Sequence, residues 1–249
     1  QNAQGEAVNC ATIVTKFVAD GVDLIMANAT PAVKAAKEAT STIPVVGTSV
    51  TGYAASGLVD SDDAPGANVT GSSDYNPVTN QITLLQKLAP EAKVIGIVYC
   101  SGEENSQIQA DEAEAALTEA GYEVKRYTFA ESSEMSAVFT QAAGEVDAFY
   151  EPTDNQVATN MELVRSVTVP AGKPVICGEG GMVENGGLAS YGVDYYSIGC
   201  AAGEQAYEIL VGGADPAAMP ISVMSTDQLQ LVLNEAVAEE LGIDTSVLD

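Results

Sequence analysis

Short apolar runs alternate along this chain with longer stretches in which apolar residues recur every three or four positions. The short runs fit strands buried on both faces, and the longer stretches fit helices with one apolar side. Strands are predicted at Val22–Met26, Ile43–Val46, Val94–Tyr99, Tyr122–Phe129, Ala148–Tyr150 and Pro174–Cys177. Residues 6–20 put Val8, Ala11, Ile13, Val14, Phe17 and Val18 on a broad apolar face, and Gly21 closes that helix. Thr30-Pro31 reads as an N-cap followed by proline at the first helical position, leading AVKAAKEA. Further helices are predicted over 77–88, 106–120, 133–143, 156–167 and 195–210. LASYGV at 188–193 is a short glycine-containing run, a strand is expected near Ile221, and residues 229–241 supply a last strand and helix.

Strand, helix, strand in repeated succession is the rhythm of a parallel sheet covered by helices. It is interrupted once. Residues 47–74 are rich in Gly, Ser and Asp, and they predict loop, a short strand near Val69-Thr70, and a crossing to a second lobe. The series that restarts at Val94 predicts that second lobe as another doubly wound sheet. The fold class is therefore α/β, with two doubly wound parallel-sheet lobes and an interlobe cleft that opens on hinges. One continuous Rossmann-like sheet is the alternative that periodicity leaves open.

Composition narrows the function more than the fold. With 46% hydrophobic and 18% charged residues, the 249-residue chain can bury one large core or two modest ones. Its 35 acidic residues against 9 basic ones give a net charge of −26, and no Lys or Arg follows Lys173. Too few cations are present to neutralise phosphates, so nucleic acid is excluded as a partner, and an anionic membrane surface would repel the chain. The acidity reads as a solvated, aggregation-resistant surface. Cys10, Cys100, Cys177 and Cys200 lack zinc-motif spacing and read as buried free thiols, with one disulfide left open. There is no histidine, which removes imidazole triads and the usual zinc hydrolase sets. VICGEGGMVENGG lacks the GxGxxG register, and no GxxxxGK[ST] occurs, so no cofactor or metal is expected. Ser101, Ser132 and Ser133 have no basic partner, and Glu103-Glu104 reads as a solvated pair. No signal peptide or membrane span is recognisable, and the chain opens abruptly with QNAQGE, as a trimmed product would.

Candidate chemistry gathers at strand ends, where open α/β sheets present ligand-binding groups. VDAFYEPTDN at 146–155 ends an apolar run in a polar corner, with Asp154 and Asn155 as its leading pair. The carboxylate could meet an ammonium and the amide both donates and accepts, while the competing role for either is helix capping. Thr30 carries the same ambiguity, since a ligand carboxylate at a helix start can use backbone N–H groups without an arginine. Asp194, before Tyr195-Tyr196, either caps the next helix or meets a cation, and Glu179 between two glycines is a candidate of the same kind. Tyr75, Tyr99, Tyr150, Tyr191 and Tyr195 lie near predicted element ends. No corner brings an obvious nucleophile. The set favours holding a small polar molecule over transforming it.

Taken in order, NATPA at 28–32, NVTGSSD at 68–74, GEENS at 102–106, EPTDN at 151–155 and ASYGVDYYSIG at 189–199 form a familiar series. It resembles the substrate-binding proteins of bacterial ABC importers, in the branch of type I periplasmic-binding architecture that includes aromatic amino-acid binders. The resemblance implies crossings near Gly71–Asp74, Ser190–Asp194 and Ile221–Ser225. It puts residues 1–71 in a first lobe and 75–189 in a second, returns 194–220 to the first, and packs 225–249 on the second. The pocket roles it implies fall on Ala29, Thr30, Ser49 or Val50, Asp74, Asn105, Ser106, Thr153, Asp154, Asn155, Glu179 and Asp194. Asp194 would take an α-ammonium, while Thr30, Ser106 and neighbouring N–H groups receive the carboxylate. Members of the family usually begin with a strand, a long helix and another strand before the segment matching QNAQGE, so residues are expected to be missing from the start. The corner that usually resembles YNPGE reads YCSGE here, and Cys100 and Ser101 are expected to reshape the pocket rim. The implied molecule is a monomeric extracytoplasmic receptor, lipid-anchored or periplasmic, and not an enzyme. It would deliver a small zwitterion, an aromatic amino acid foremost, to a membrane permease. A sugar or nucleoside receptor of the same architecture is the alternative, with a Rossmann-like enzyme as the third reading.

Overall fold

In a computed structural model that describes residues 1–248, the chain begins with α1 (Ala7–Asp20), β1 (Ile25–Asn28), α2 (Thr30–Ala39), β2 (Val45–Val50) and β3 (Val69–Ser73). It continues through α3 (Val78–Leu88), β4 (Val94–Cys100), α4 (Glu104–Glu119), β5 (Glu123–Phe129), α5 (Met135–Ala143) and β6 (Ala148–Glu151). Then come α6 (Asn155–Thr159), α7 (Met161–Thr168), β7 (Val175–Cys177), α8 (Gly180–Glu184) and β8 (Ala189–Gly192). The last elements are α9 (Tyr195–Leu210), β9 (Ser222–Val223), β10 (Gln230–Leu233) and α10 (Glu235–Leu241). Contacts divide these into one unit of Gln1–Tyr75 with Val193–Gln228, and a second of Asn76–Gly192 with the chain from Leu229 onward. Asp249, the last residue of the segment expected to pack on the second lobe, lies outside the described residues.

The first unit is built on a four-stranded parallel sheet in the order β1-β2-β3-β9. Alternation along β2 sends Val45 to a core shared with α1 and α2, where Val14, Ile25, Val33 and Val69 are buried. Its neighbour Val46 points to the other face, against Ala202 and Ile209 of α9. Two glycines make room for the buried Tyr53, whose hydroxyl donates to the Ser72 carbonyl oxygen at 3.2 Å. A Cβ on Gly47 would lie 2.4 Å from that hydroxyl, and one on Gly71 would lie 2.2 Å from it and 2.1 Å from the Gly47 carbonyl oxygen.

The second unit has a six-stranded sheet, β10-β8-β7-β6-β4-β5, parallel except for the antiparallel β10. Its strands are apolar on both faces because helices cover both. Ile95, Ile97, Tyr99 and Tyr150 pack toward α3, α4 and α10, while Val98, Cys100 and Phe149 pack toward α5 and α7. Phe139 of α5 meets Phe149 with ring centroids 5.8 Å apart, tilted by 49°. Gln81 of α3 fixes β8 with a pair of bonds, accepting from the Tyr191 N–H at 3.0 Å and donating to its carbonyl at 2.8 Å.

Several predicted boundaries move, each for a local reason. The first strand runs from Ile25 rather than Val22, because left-handed Gly21 turns the chain and the Val22 N–H closes onto the Phe17 carbonyl. Thr30 is the first residue of α2 and not its cap, a place taken by Ala29. The helix predicted over 156–167 is two helices broken at Asn160, whose side chain donates to the Gln156 carbonyl. The helix expected from Ser106 begins two residues earlier, and the short α8 was not predicted. All four thiols are free, but Cys200 is exposed where a buried thiol was expected.

Candidate functional site

The carboxyl ends of β1, β2 and β3 share one edge of the first sheet, and sequence candidates collect there. Ala29 follows β1 with φ 73° and ψ 155°, a region that only glycine visits without steric cost. Its N–H donates to the Thr48 carbonyl at 3.0 Å, which ties the corner to β2 and aims the start of α2. Thr30 is buried in the first turn, and its hydroxyl makes no hydrogen bond among the described residues. Ser49 has φ 57° and sits where the β2–β3 register shifts between Gly47 and Val50. That bulge ends with the Asp74 N–H bonded to the Val50 carbonyl at 3.2 Å.

Asp74 is the group at this edge with unmet chemistry. It is 5% exposed, and its Oδ2 accepts from the Tyr195 hydroxyl at 3.1 Å. Its Oδ1 is buried without a hydrogen-bond partner. Burial pushes its pKa up to about 6, against the opposing help of the Tyr195 and Thr51 hydroxyls. Tyr195 was not singled out as the partner of Asp74 in the sequence, since it lies 121 positions away. Asp194, by contrast, is occupied. Its carboxylate caps α9 by accepting from the Tyr196 and Ser197 N–H groups at 3.2 Å and from the Ser197 hydroxyl. That hydroxyl, chiefly, holds its pKa below the usual value.

The second unit gathers its candidates at the carboxyl ends of β4, β6 and β7, and here acids are spent on helix starts. Asp154 is fully buried, with Oδ1 accepting from the Val157 N–H at 2.9 Å and Oδ2 from the Cys100 N–H at 2.8 Å. Ser106, buried in the first turn of α4, adds a further bond to that carboxylate. Glu179 caps α8 through the Gly181 and Met182 N–H groups, both at 2.6 Å. Asn155 is half-buried and donates from its N–H and from Nδ2 to Glu103 Oε2, at 3.0 and 2.6 Å. Asn105 donates to the Thr153 carbonyl at 2.8 Å, while its Oδ1 and the Thr153 hydroxyl are buried and unpartnered. The structure thus brings Asn105, Ser106, Thr153, Asp154 and Asn155 together. Glu179 stands at the head of its own helix.

Two residues outside the sequence candidates belong to this second corner. Glu103 was expected to be solvated beside Glu104, but it is buried and its Oε1 also accepts from the Gln156 N–H at 3.1 Å. Burial, then the Asp154 charge, raises its pKa to about 7. Glu151, the last residue of β6, is completely buried and neither of its oxygens has a partner. The sequence signal for both was an acid directly at a strand end or helix start. Arg126 lies over the Tyr99 ring at 5.1 Å and donates to its hydroxyl at 2.7 Å. Among the described residues no cluster of acids and thiols is arranged to hold a metal ion, and no helix is long and apolar enough to cross a membrane.

Two α/β units with parallel sheets and polar strand ends are the architecture of the type I periplasmic-binding proteins. A leucine binding protein from Thermotoga maritima shares the fold at 15% identity, with a TM-score of 0.56 over 87% of this chain and 65% of that one. Residues 1–247 match the model of the ABC transporter substrate binding protein family, and the chain belongs to that family. It is 38% identical to a tyrosine-binding protein of Clostridioides difficile (strain R20291), over 98% of this chain and 70% of the relative. Among solved structures, an ABC domain in complex with L-Trp from Streptococcus pneumonia superposes with a TM-score of 0.94 at 36% identity, covering 100% of this chain and 84% of that one. A ligand-free, open substrate binding protein with adhesive properties from Clostridium difficile gives 0.70 at 36% identity, covering 98% and 82%. The family is one of transport proteins and not of enzymes.

Proposed function

We propose that this substrate-binding protein captures an aromatic amino acid and that Asp74 receives the α-ammonium. The single observation that carries the reading is the buried Asp74 Oδ1 without a partner. A buried carboxylate oxygen left unbonded costs free energy, and a charge-assisted bond from an ammonium removes that cost. Asp194, which the family resemblance had favoured for this role, already has its carboxylate engaged at the head of α9. The α-carboxylate is received at the start of the ten-residue α2, where Thr30 offers a hydroxyl and the helix end favours negative charge. Ala29 supports this, because a strain of about 1–3 kcal/mol persists at a position that aims this helix start.

The aromatic side chain is taken from the relatives, a tyrosine-binding protein and a protein solved with L-Trp. Acting outside the cytoplasm, tethered by a lipid or free in a periplasm, the protein hands its solute to the permease of an ABC importer. Calorimetric titration with L-tyrosine, L-tryptophan, L-leucine and L-arabinose tests the reading. Tyrosine or tryptophan should bind most tightly, and D74N should weaken that binding by about 1.5–3 kcal/mol, roughly ten- to 150-fold. Unchanged affinity in a folded D74N protein would remove Asp74 from the site, and preference for the sugar would overturn the amino-acid reading.

A further inference from the structure

The second unit holds an acid that its helix caps do not use. Glu151 ends β6 on the face where Phe149, Val98, Cys100 and Cys177 pack, with 0% of its surface exposed. Both carboxylate oxygens lack a hydrogen-bond partner. The titratable groups acting on it are Asp154 after β6 and the Cys177 thiol of β7, while Glu103 at the head of α4 acts in turn on Asp154 and Glu179 at the head of α8 on Cys177. All are acids or thiols, and no ion pair among the described residues involves Glu103, Glu151 or Asp154. Asp154 and Glu103 are moreover fixed beside each other, since both bond N–H groups at the start of the same five-residue helix, α6.

Three carboxyl groups lie in a chain here without a cation, with Asp154 acting on Glu151 to one side and on Glu103 to the other. An ionised carboxylate with neither counter-charge nor hydrogen bond is too costly to bury, and protonation is the relief available to it. We infer that Glu151 is a resident proton carrier beneath the Thr153–Asn155 corner, and that proton loss from the Glu151–Asp154–Glu103 cluster loosens α6 as pH rises. Asn155, at the first position of α6, is held by Glu103, so its placement depends on the same balance. The titration tendencies agree in direction. Burial chiefly, and then Asp154, raises the Glu151 pKa well above its ordinary value, against a weaker pull from the Val98 N–H, which stands outside hydrogen-bonding geometry. Burial likewise raises Asp154, and Glu103 goes to about 7.

The sign follows from proton counting. Each group binds its proton more tightly in the folded chain than in the unfolded one, so this part of the stability is full below the unfolded carboxyl pKa. It is lost as pH rises toward the folded values, with Glu103 turning over near pH 7. The test is thermal unfolding of the full chain from pH 5 to 8, without solute, for wild type and E151Q, which copies the neutral acid. Wild type should lose Tm across this range, and E151Q should lose less, melting at least about 3 °C above wild type at pH 8. E103Q supplies a second variant if E151Q fails to fold, and it too should flatten the fall. Infrared difference spectra at pH 7 should show the carbonyl stretch of protonated carboxyl groups in wild type, and E151Q should lose the Glu151 share of it while keeping that of Glu103. Equal slopes in wild type and the folded variant, or absence of that band from wild type, would overturn the inference. So would a rise in wild-type Tm with potassium, sodium or calcium ions at pH 8 that E151Q does not share, because a bound cation would then be balancing the cluster.

Discussion

The two strand-end edges carry similar residues, and at both of them the acids that head a helix are treated differently from those that do not, Asp74 in the first unit and Glu151 in the second. In the first unit, Asp74 keeps one carboxylate oxygen buried and unbonded beside the Tyr195 hydroxyl. In the second, Asp154 has both oxygens bonded to backbone N–H groups, while Glu103 and Glu179 hold the starts of α6 and α8. An acid at a strand end is therefore not by itself a ligand group. What separates them is whether the local backbone offers donors. Asp154, Glu179 and Asp194 each directly precede a helix whose first N–H groups need acceptors, whereas Asp74 is followed by Tyr75, Asn76 and Pro77 before α3 begins at Val78.

The largest expected effect is on the frame of the first edge. A Cβ at Gly71 would meet the Gly47 carbonyl and the Tyr53 hydroxyl, and its φ of 152° disfavours any other residue. G71A should cost about 3–4 kcal/mol in denaturant unfolding, from overpacking plus backbone strain. Equal stability would mean that the β2–β3 edge is not held by this close approach. D74N comes next, with the affinity loss given above and little change in fold. D194A should do the reverse, lowering Tm by removing the α9 cap while leaving solute affinity much nearer to wild type than D74N does. If D194A were the more damaging to binding, the assignment of the two acids would have to be exchanged.

Much of the architecture was legible because it depends on period and punctuation. The double apolar faces of Val94–Tyr99 and the helix-ending glycines at 21 and 121 are local signals, and both sheets follow from them. Boundaries failed where a local bond outweighed hydropathy, as when Val22 packed under α1 instead of opening β1. The site was legible only as a set of candidates. EPTDN and YGVDYY mark helix starts as strongly as binding groups, and the choice rests on which N–H groups lie within reach. Glu103 was misread because an EE pair resembles solvated surface, and nothing in the sequence shows that only the first of the two turns inward. The pairing of Asp74 with Tyr195 spans 121 positions and has no sequence signature.

The most direct test of the central claim is the pH dependence of L-tyrosine affinity in wild type and D74N, measured by calorimetry from pH 5 to 8. Asp74 in the free protein titrates near 6, so below that pH the ammonium must displace a proton. Wild-type affinity should be level above about pH 7 and fall toward tenfold per pH unit below the Asp74 pKa, while D74N should bind weakly with no such fall. A wild-type profile that stays flat through pH 6, or a D74N profile that keeps the same acid-side fall, would contradict the assignment of Asp74 as the ammonium partner.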